Sequence, residues 1–99
     1  ARASDLTAVF ALGDAIAFGA LRAAADEGLS VPGDLSLVGF DDTSLSQFSV
    51  PRITTVRQGA SLLADRSAHA LLAAMREGAP ATHEVVHFEL VERESVRTI

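Results

Sequence analysis

The apolar residues of this chain fall into short blocks whose spacing alternates between continuous and helical. Residues 7–12 are nearly all apolar, too few for a helix, and are halted by Gly13. Such a run predicts a buried strand of the kind found in parallel sheets, which are covered on both faces. Asp14 follows, placed to accept hydrogen bonds from the free N–H groups of a helix's first turn. Ala17, Ala20, Leu21 and Ala24 then recur at helical spacing, with Ile16 beside them, and make one apolar face. Gly28 suits the left-handed residue that ends a helix, and Pro32 forbids its continuation.

A second strand-like run covers residues 35–40 and gives way to the polar cluster Asp41-Asp42-Thr43-Ser44. Strand, helix and strand within roughly 30 residues is the size of a βαβ unit with a right-handed crossover. Residues 44–52 show no period and include Pro51, which predicts a loop; residues 53–56 are a short β-branched strand or connector. A second helix is predicted over residues 60–77, with Ala64, Ala68, Leu71, Leu72 and Met75 as its apolar stripe, ended by Gly78 and Pro80. In residues 84–91, Val86, Phe88 and Leu90 alternate with His87 and Glu89, as on a strand with one solvated face. The fold class is therefore α/β, a parallel sheet with flanking helices.

Composition narrows the function. The chain has 99 residues, 48% of them hydrophobic and 21% charged, with no cysteine and a formal charge of −5. That balance fits one small globular domain and excludes a disulfide framework, thiolate metal sites and a cysteine nucleophile. No apolar run approaches the ~20 residues of a membrane-spanning helix, and no membrane partner is expected. All eight basic residues are arginines, scattered singly from Arg2 to Arg97, which makes direct DNA binding by these residues a poor prospect. The chain opens at Ala1 and its one methionine is Met75, so we read it as a piece of something longer.

Candidate chemistry concentrates where the first two strands end. Asp14 and Asp41 each follow the carboxyl end of a predicted strand, and parallel strands put those ends on one edge of the sheet. Ligands of open α/β sheets bind at that edge, where a carboxylate can accept hydrogen bonds from hydroxyls or amines. Capping alone accounts for Asp14. Asp41 has no such task, because Asp42 and Thr43 already supply turn chemistry and no helix pattern follows. His83 and His87, four apart on a strand, stand about 13 Å from each other, too far to share a metal ion. Phe10, Phe40 and Phe88 are expected in the core, as is Phe48 from the loop, and His69 on the surface. No Gly-x-Ser-x-Gly elbow and no Gly-x-Gly-x-x-Gly loop occurs, so neither a serine nucleophile nor a dinucleotide cofactor has support. We expect no catalytic residues, metal or cofactor.

Taken in order, four segments carry a resemblance: Ala8-Val9-Phe10-Ala11-Leu12-Gly13-Asp14, the run from Gly28 to Asp42, Pro51-Arg52-Ile53-Thr54-Thr55-Val56-Arg57-Gln58, and Leu90-Val91-Glu92-Arg93-Glu94-Ser95. In this register they resemble the carboxy-terminal part of the LacI/GalR family of bacterial transcriptional regulators. The resemblance implies a periplasmic-binding-protein-like effector domain of Rossmann-type lobes, here only a fragment. Residues 1–50 would belong to the second lobe, 51–58 to a hinge crossover, 59–79 to a helix of the first lobe, and 80–99 to a returning strand. It further implies a cytoplasmic homodimer that binds a small sugar-like or nucleobase-like effector and reaches operator DNA through an amino-terminal headpiece absent here. Asp41 corresponds to the acidic residue that hydrogen-bonds the effector. Gly13-Asp14 stands where sugar-responsive members have Asn-Asp, so a polar contact is lost and a larger or flatter ligand can approach the backbone. Gln58, just after the hinge strand, reaches toward the cleft. A transport-type sugar-binding protein of the same fold is the alternative, and a sugar-phosphate isomerase on an α/β scaffold is a third class without a catalytic constellation.

Overall fold

The computed structural model describes residues 5–99; Arg2 and Ser4 lie outside the described residues. Its elements are β1 (Ala8–Phe10), α1 (Asp14–Asp26), β2 (Ser36–Val38), a 3-10 turn (Ser44–Gln47), β3 (Thr55–Arg57), α2 (Ala60–Glu77) and β4 (Glu89–Val91). β1 and β2 run parallel, with Ala8 opposite Ser36, Val9 opposite Leu37 and Phe10 opposite Val38. Their backbone bonding extends past these limits: Ser36 N–H donates to Thr7 O at 2.8 Å and Ala11 N–H to Val38 O at 2.8 Å. The parallel pair predicted from the apolar runs is thus present.

On its other side β2 receives two separate pieces of chain. Val38 forms a parallel bridge with Thr54, and Gly39 N–H donates to Thr54 O at 2.9 Å. One step back, Leu37 N–H donates to Ser95 O at 2.8 Å. The predicted strand over residues 53–56 therefore splits: Thr54 bonds to β2, while β3 pairs antiparallel with β4 in the register Thr55 to Val91. β2, flanked on both sides, contributes Leu37 to a small core with Ala11, Ala17 and Ile53. Phe18, Ala20 and Leu21 of α1 pack against its margin, as the helical stripe anticipates.

Helix α1 ends in a Schellman arrangement. Gly28 adopts φ +73°, Leu29 N–H donates to Ala24 O at 2.8 Å, and Gly28 N–H to Ala25 O at 3.1 Å. These bonds satisfy carbonyls that a helix end leaves open, and only a residue at ease with positive φ permits them. Helix α2 has the predicted limits but a different environment. None of its residues is buried, and Leu71, Leu72 and Met75 of its apolar stripe are exposed. The overall extents are 57 × 30 × 23 Å and the radius of gyration is 17.8 Å, against about 13 Å for a compact 100-residue domain. Residues 82–86 lie along α2, with Arg66 Nη1 donating to Glu84 Oε1, and no α2 residue is fully buried among the described residues. No helix is long and apolar enough to cross a membrane among those residues.

Several expectations change. Only Glu89–Val91 of residues 84–91 pair as a strand, leaving His83 and His87 outside it. Phe10 and Phe88 are 59% and 62% exposed rather than in the core, Phe40 is half-buried, and Phe48 is 72% exposed. Phe10, Phe48 and Phe88 thus present largely exposed apolar faces. The loop after Ser44 opens with the 3-10 turn, which the absence of a period had concealed.

Gly39 is where the fold is tightest. A Cβ there would lie 2.4 Å from Asp14 Oδ1, 3.3 Å from Ile53 Cγ2 and 3.4 Å from Ala17 Cβ. We expect Gly39→Ala to destabilise the complete protein by about 1–3 kcal/mol in chemical denaturation, the usual cost of overpacking.

Candidate ligand-binding edge

The carboxyl ends of β1 and β2 lie side by side, tied by Asp14 N–H donating to Phe40 O at 2.9 Å. Beyond β2 the backbone enters an uncommon conformation. Asp41 has φ +110° and Asp42 φ +55°, both in the region that favours glycine. Such strain persists only where surroundings over-determine it, and it clusters at functional sites. Here Asp41 N–H donates to Val56 O at 2.9 Å and Asp42 N–H to Thr55 Oγ1 at 3.3 Å. The turn is thereby fastened to the crossover and sends two adjacent carboxylates to different surroundings.

Asp41 is exposed, and its Oδ1 accepts a 2.6 Å hydrogen bond from Gln58 Nε2. Gly13 lies on the other side, where a Cβ built on it would be 3.7 Å from Asp41 Oδ2. Three of the four residues singled out from the sequence, Asp41, Gln58 and Gly13, therefore meet. Gln58 also lines an apolar hollow of about 340 Å³ with Phe40, Val56, Leu63, Val86 and Phe88. A carboxylate and an amide at the rim of an apolar hollow can orient a ligand by hydrogen bonds while its body contacts carbon.

Asp14, the fourth, is not brought to that edge. Its expected capping role also needs correction. Gly13 occupies the N-cap position of α1 with extended backbone and no side-chain cap bond, and Asp14 is the first helical residue. Its carboxylate turns inward and is fully buried. Oδ2 accepts from Thr43 N–H at 2.6 Å and Thr43 Oγ1 at 3.1 Å, and Oδ1 accepts from Thr55 Oγ1 at 2.7 Å. The helix N-terminus favours the negative charge. Helix start, turn and crossover are joined through one side chain. Glycine is itself a favoured N-cap residue, so the missing side-chain cap at Gly13 costs only about a few tenths of a kcal/mol.

Asp42, read from the sequence as turn chemistry, anchors the most connected polar cluster. Its Oδ1 accepts from Arg93 Nη2 at 2.7 Å and its Oδ2 from Arg57 Nε at 2.7 Å. Arg93 Nη1 also donates to Ile53 O and to Ser46 Oγ, both at 2.9 Å. The Asp42 and Arg93 side chains are 10% and 15% exposed, so this ion pair is far better shielded than the surface pairs Arg22–Asp26 and Arg52–Glu94. Burial pushes the Asp42 carboxyl up, but hydrogen bonds from Arg93, Arg57 and Ser46 outweigh it and hold the group below its ordinary value of 3.8. Two residues further on, Ser95 is buried, donates its hydroxyl to Leu37 O and accepts from Thr54 N–H at 2.8 Å. The sequence signal for both was the period-2 alternation, which shifts phase so that Val91, Arg93 and Ser95 face inward beyond the strand.

A parallel α/β edge with a polar rim, joined by side-chain bonds to the segment that follows it, is the geometry of a ligand-binding α/β fold. The chain belongs to the periplasmic-binding-protein-like domain family, which matches residues 1–96, and within it to the LacI/GalR type. It is 44% identical over 91 residues to the HTH-type transcriptional regulator MalR of Clostridium butyricum, covering 92% of this chain and 27% of that protein. It is 40% identical over 97 residues to the HTH-type transcriptional repressor PurR of Actinobacillus pleuropneumoniae, covering 94% and 29%. Among solved structures, the transcriptional regulator CelR–cellobiose complex superposes with a TM-score of 0.85 at 32% identity, covering 95% of this chain and 29% of that one. The Lac repressor dimer bound to operator and the anti-inducer ONPF gives 0.83 at 35%, covering 93% and 32%. The chain thus spans less than a third of each of these relatives.

Removing one partner of the shielded pair strands the other charge. We expect Arg93→Gln to cost the complete protein about 3 kcal/mol of stability at neutral pH. Because the Asp42 carboxyl is depressed on folding, its contribution is present above the ordinary value of 3.8 and lost as pH falls below it. Denaturation from neutral pH downward will therefore show wild type and Asp42→Asn converging in acid.

Proposed function

We propose that this chain is the effector-sensing part of a LacI/GalR-type transcriptional regulator. In this reading residues 1–50 build the second lobe, 51–58 the crossover, 59–79 a helix of the first lobe and 80–99 the returning strand. A small neutral molecule, sugar-like or nucleobase-like, binds in the cleft and donates hydrogen bonds to Asp41, with Gln58 beside it. The observation that carries the reading is the exposed Asp41 carboxylate, held at positive φ on the carboxyl edge and bridged to the crossover by Gln58. Asp14 contributes from beneath by fixing the turn that presents Asp41. The chain works by binding and not by catalysis, which agrees with relatives that are named as regulators. As a regulator it acts in the cytoplasm and meets operator DNA through a headpiece outside these residues.

Binding alters operator affinity only if the ligand prefers one arrangement of the lobes. The edge supports such coupling because Asp41 and Asp42 bond to Val56, Gln58, Thr55 and Arg57 of the crossover. A homodimer would carry the change to DNA. The surface we assign to it is the apolar hollow of about 310 Å³ between α1 and the 3-10 turn, lined by Phe18, Leu21, Leu45 and Phe48. Leu45 and Phe48 are 62% and 72% exposed there, an apolar surface of the kind that associating proteins cover.

Calorimetric titration of the complete protein with a panel of mono- and disaccharides, purine bases and nucleosides tests the sensor. We expect one member to bind and Asp41→Asn to weaken it by about 2–3 kcal/mol, as for loss of a charged hydrogen-bond partner. Unchanged affinity in Asp41→Asn removes the residue from the site. Phe48→Glu should raise the dimer dissociation constant by about tenfold or more in sedimentation analysis; an unaltered constant places the interface elsewhere.

A further inference from the structure

We propose that Arg57 is the positioning residue of this edge: through Asp42 it holds the turn that carries Asp41 against the crossover, and makes the affinity for a neutral ligand sensitive to ionic strength. The inference rests on the reading of Asp41 as the ligand's acceptor, and adds the side chain that sets where the acceptor stands.

Asp42 has two cationic partners where one would neutralise it. Arg93 Nη2 and Ser46 Oγ already donate to its Oδ1, at 2.7 and 3.1 Å. Arg93 is itself tied to Ile53 O, and both members of this pair are well shielded from water. Arg57 is 49% exposed and donates from Nε to the remaining oxygen, Oδ2, at 2.7 Å. An ion pair with so exposed a cation adds little to stability, because water competes for the charge. The shielded pair serves the fold; the second cation is free for another task.

Its position indicates that task. Arg57 and Gln58 are neighbours, and they bond to the neighbours Asp42 and Asp41, Gln58 Nε2 donating to Asp41 Oδ1 at 2.6 Å. The backbone of the turn makes the same approach, with Asp41 N–H on Val56 O at 2.9 Å and Asp42 N–H on Thr55 Oγ1 at 3.3 Å. Of these four bonds between turn and crossover, only Arg57 to Asp42 is an ion pair. Both aspartates stand at positive φ, a conformation that relaxes when its fastening weakens. Arg57 also faces Glu89 across the β3–β4 pairing, its Nη1 3.8 Å from Glu89 Oε1. One guanidinium therefore touches the turn and the strand that returns beside the crossover. Salt screens such an exposed contact while it largely spares the shielded Arg93 pair. A neutral ligand on Asp41 offers salt no net charge, so a salt effect on its binding reports the turn.

Wild type, Arg57→Gln, Arg57→Lys and Asp41→Asn of the complete protein test this by calorimetry with two neutral probes, cellobiose and adenine, at about 0.05 and about 0.5 M NaCl. Thermal melting and amide hydrogen exchange of the ligand-free forms accompany the titrations. We expect Arg57→Gln to melt within about 3 °C of wild type. Its Asp41 and Asp42 amides should nonetheless exchange about threefold or more faster, and the probe that wild type binds should bind about threefold or more weakly at low salt. Wild type should lose about the same factor at high salt, and Arg57→Gln almost none. Arg57→Lys, which keeps the charge, should recover part of the affinity and the salt effect. Smaller changes in Arg57→Gln overturn the inference, as do a salt effect that persists in it, Arg57→Lys no better than Arg57→Gln, or a larger loss of melting temperature. Where neither probe binds wild type, exchange decides: unaltered Asp41 and Asp42 amides overturn the hold on the turn, and faster ones uphold it. Asp41→Asn binding as wild type does defeats the acceptor reading and this inference with it. A strong Asp41 effect beside an unchanged Arg57→Gln sinks the inference alone.

Discussion

One buried carboxylate organises the ordered half of this chain. Asp14 has no contact with water and no cationic partner among the described residues, so its charge is supported by three hydrogen bonds and the start of α1. Those bonds come from Thr43, after β2, and Thr55, in the crossover. Satisfying the carboxylate therefore fixes where two remote segments lie relative to the helix. Gly39 supplies the room, and the small side chains of Ala11 and Ala17 let helix and strands approach closely enough for it to work.

A second fastening crosses the first. Arg93 and Ser95 arrive from the end of the chain and bond to Asp42, Ser46, Ile53, Thr54 and Leu37, closing the sheet on the side away from β1. The turn that carries Asp41 and Asp42 is thus held by the crossover on one side and by the returning segment on the other. The contacts are contiguous, so Asp41, Gln58, Asp42 and Arg93 share one polar network whose energetic coupling double-mutant cycles measure.

The apolar pattern made most of the architecture legible. The parallel pair, both helices and the left-handed ending at Gly28 follow from runs, periods and one glycine. Residues 84–88 misled because Val86 and Phe88 meet Leu63 of α2, Phe40 and Val56 at an apolar hollow, while strand pairing among the described residues is confined to Glu89–Val91. Phe10, Phe48 and Phe88 misled likewise: the sequence states that a side chain is apolar but not whether its cover lies in the same segment. At the edge, strand position pointed to Asp41 and the family resemblance to Gly13 and Gln58, and the structure brings the three together. It failed for Asp14, where a carboxylate at a helix start reads as a cap and only coordinates reveal the inward turn. Asp42 and Arg93 are 51 positions apart, a pairing that no local pattern announces.

The positive φ at Asp41 has a thermodynamic meaning beyond its rarity. Backbone geometry, set during folding by the bond to Val56, aims the carboxylate before any ligand arrives, and an aspartate has only two side-chain torsions left to settle. Recognition at such a group incurs little ordering entropy at the moment of encounter, because the conformational cost was met when the chain folded. Under the proposed function, strain at this one residue is the means by which folding free energy would be converted into affinity.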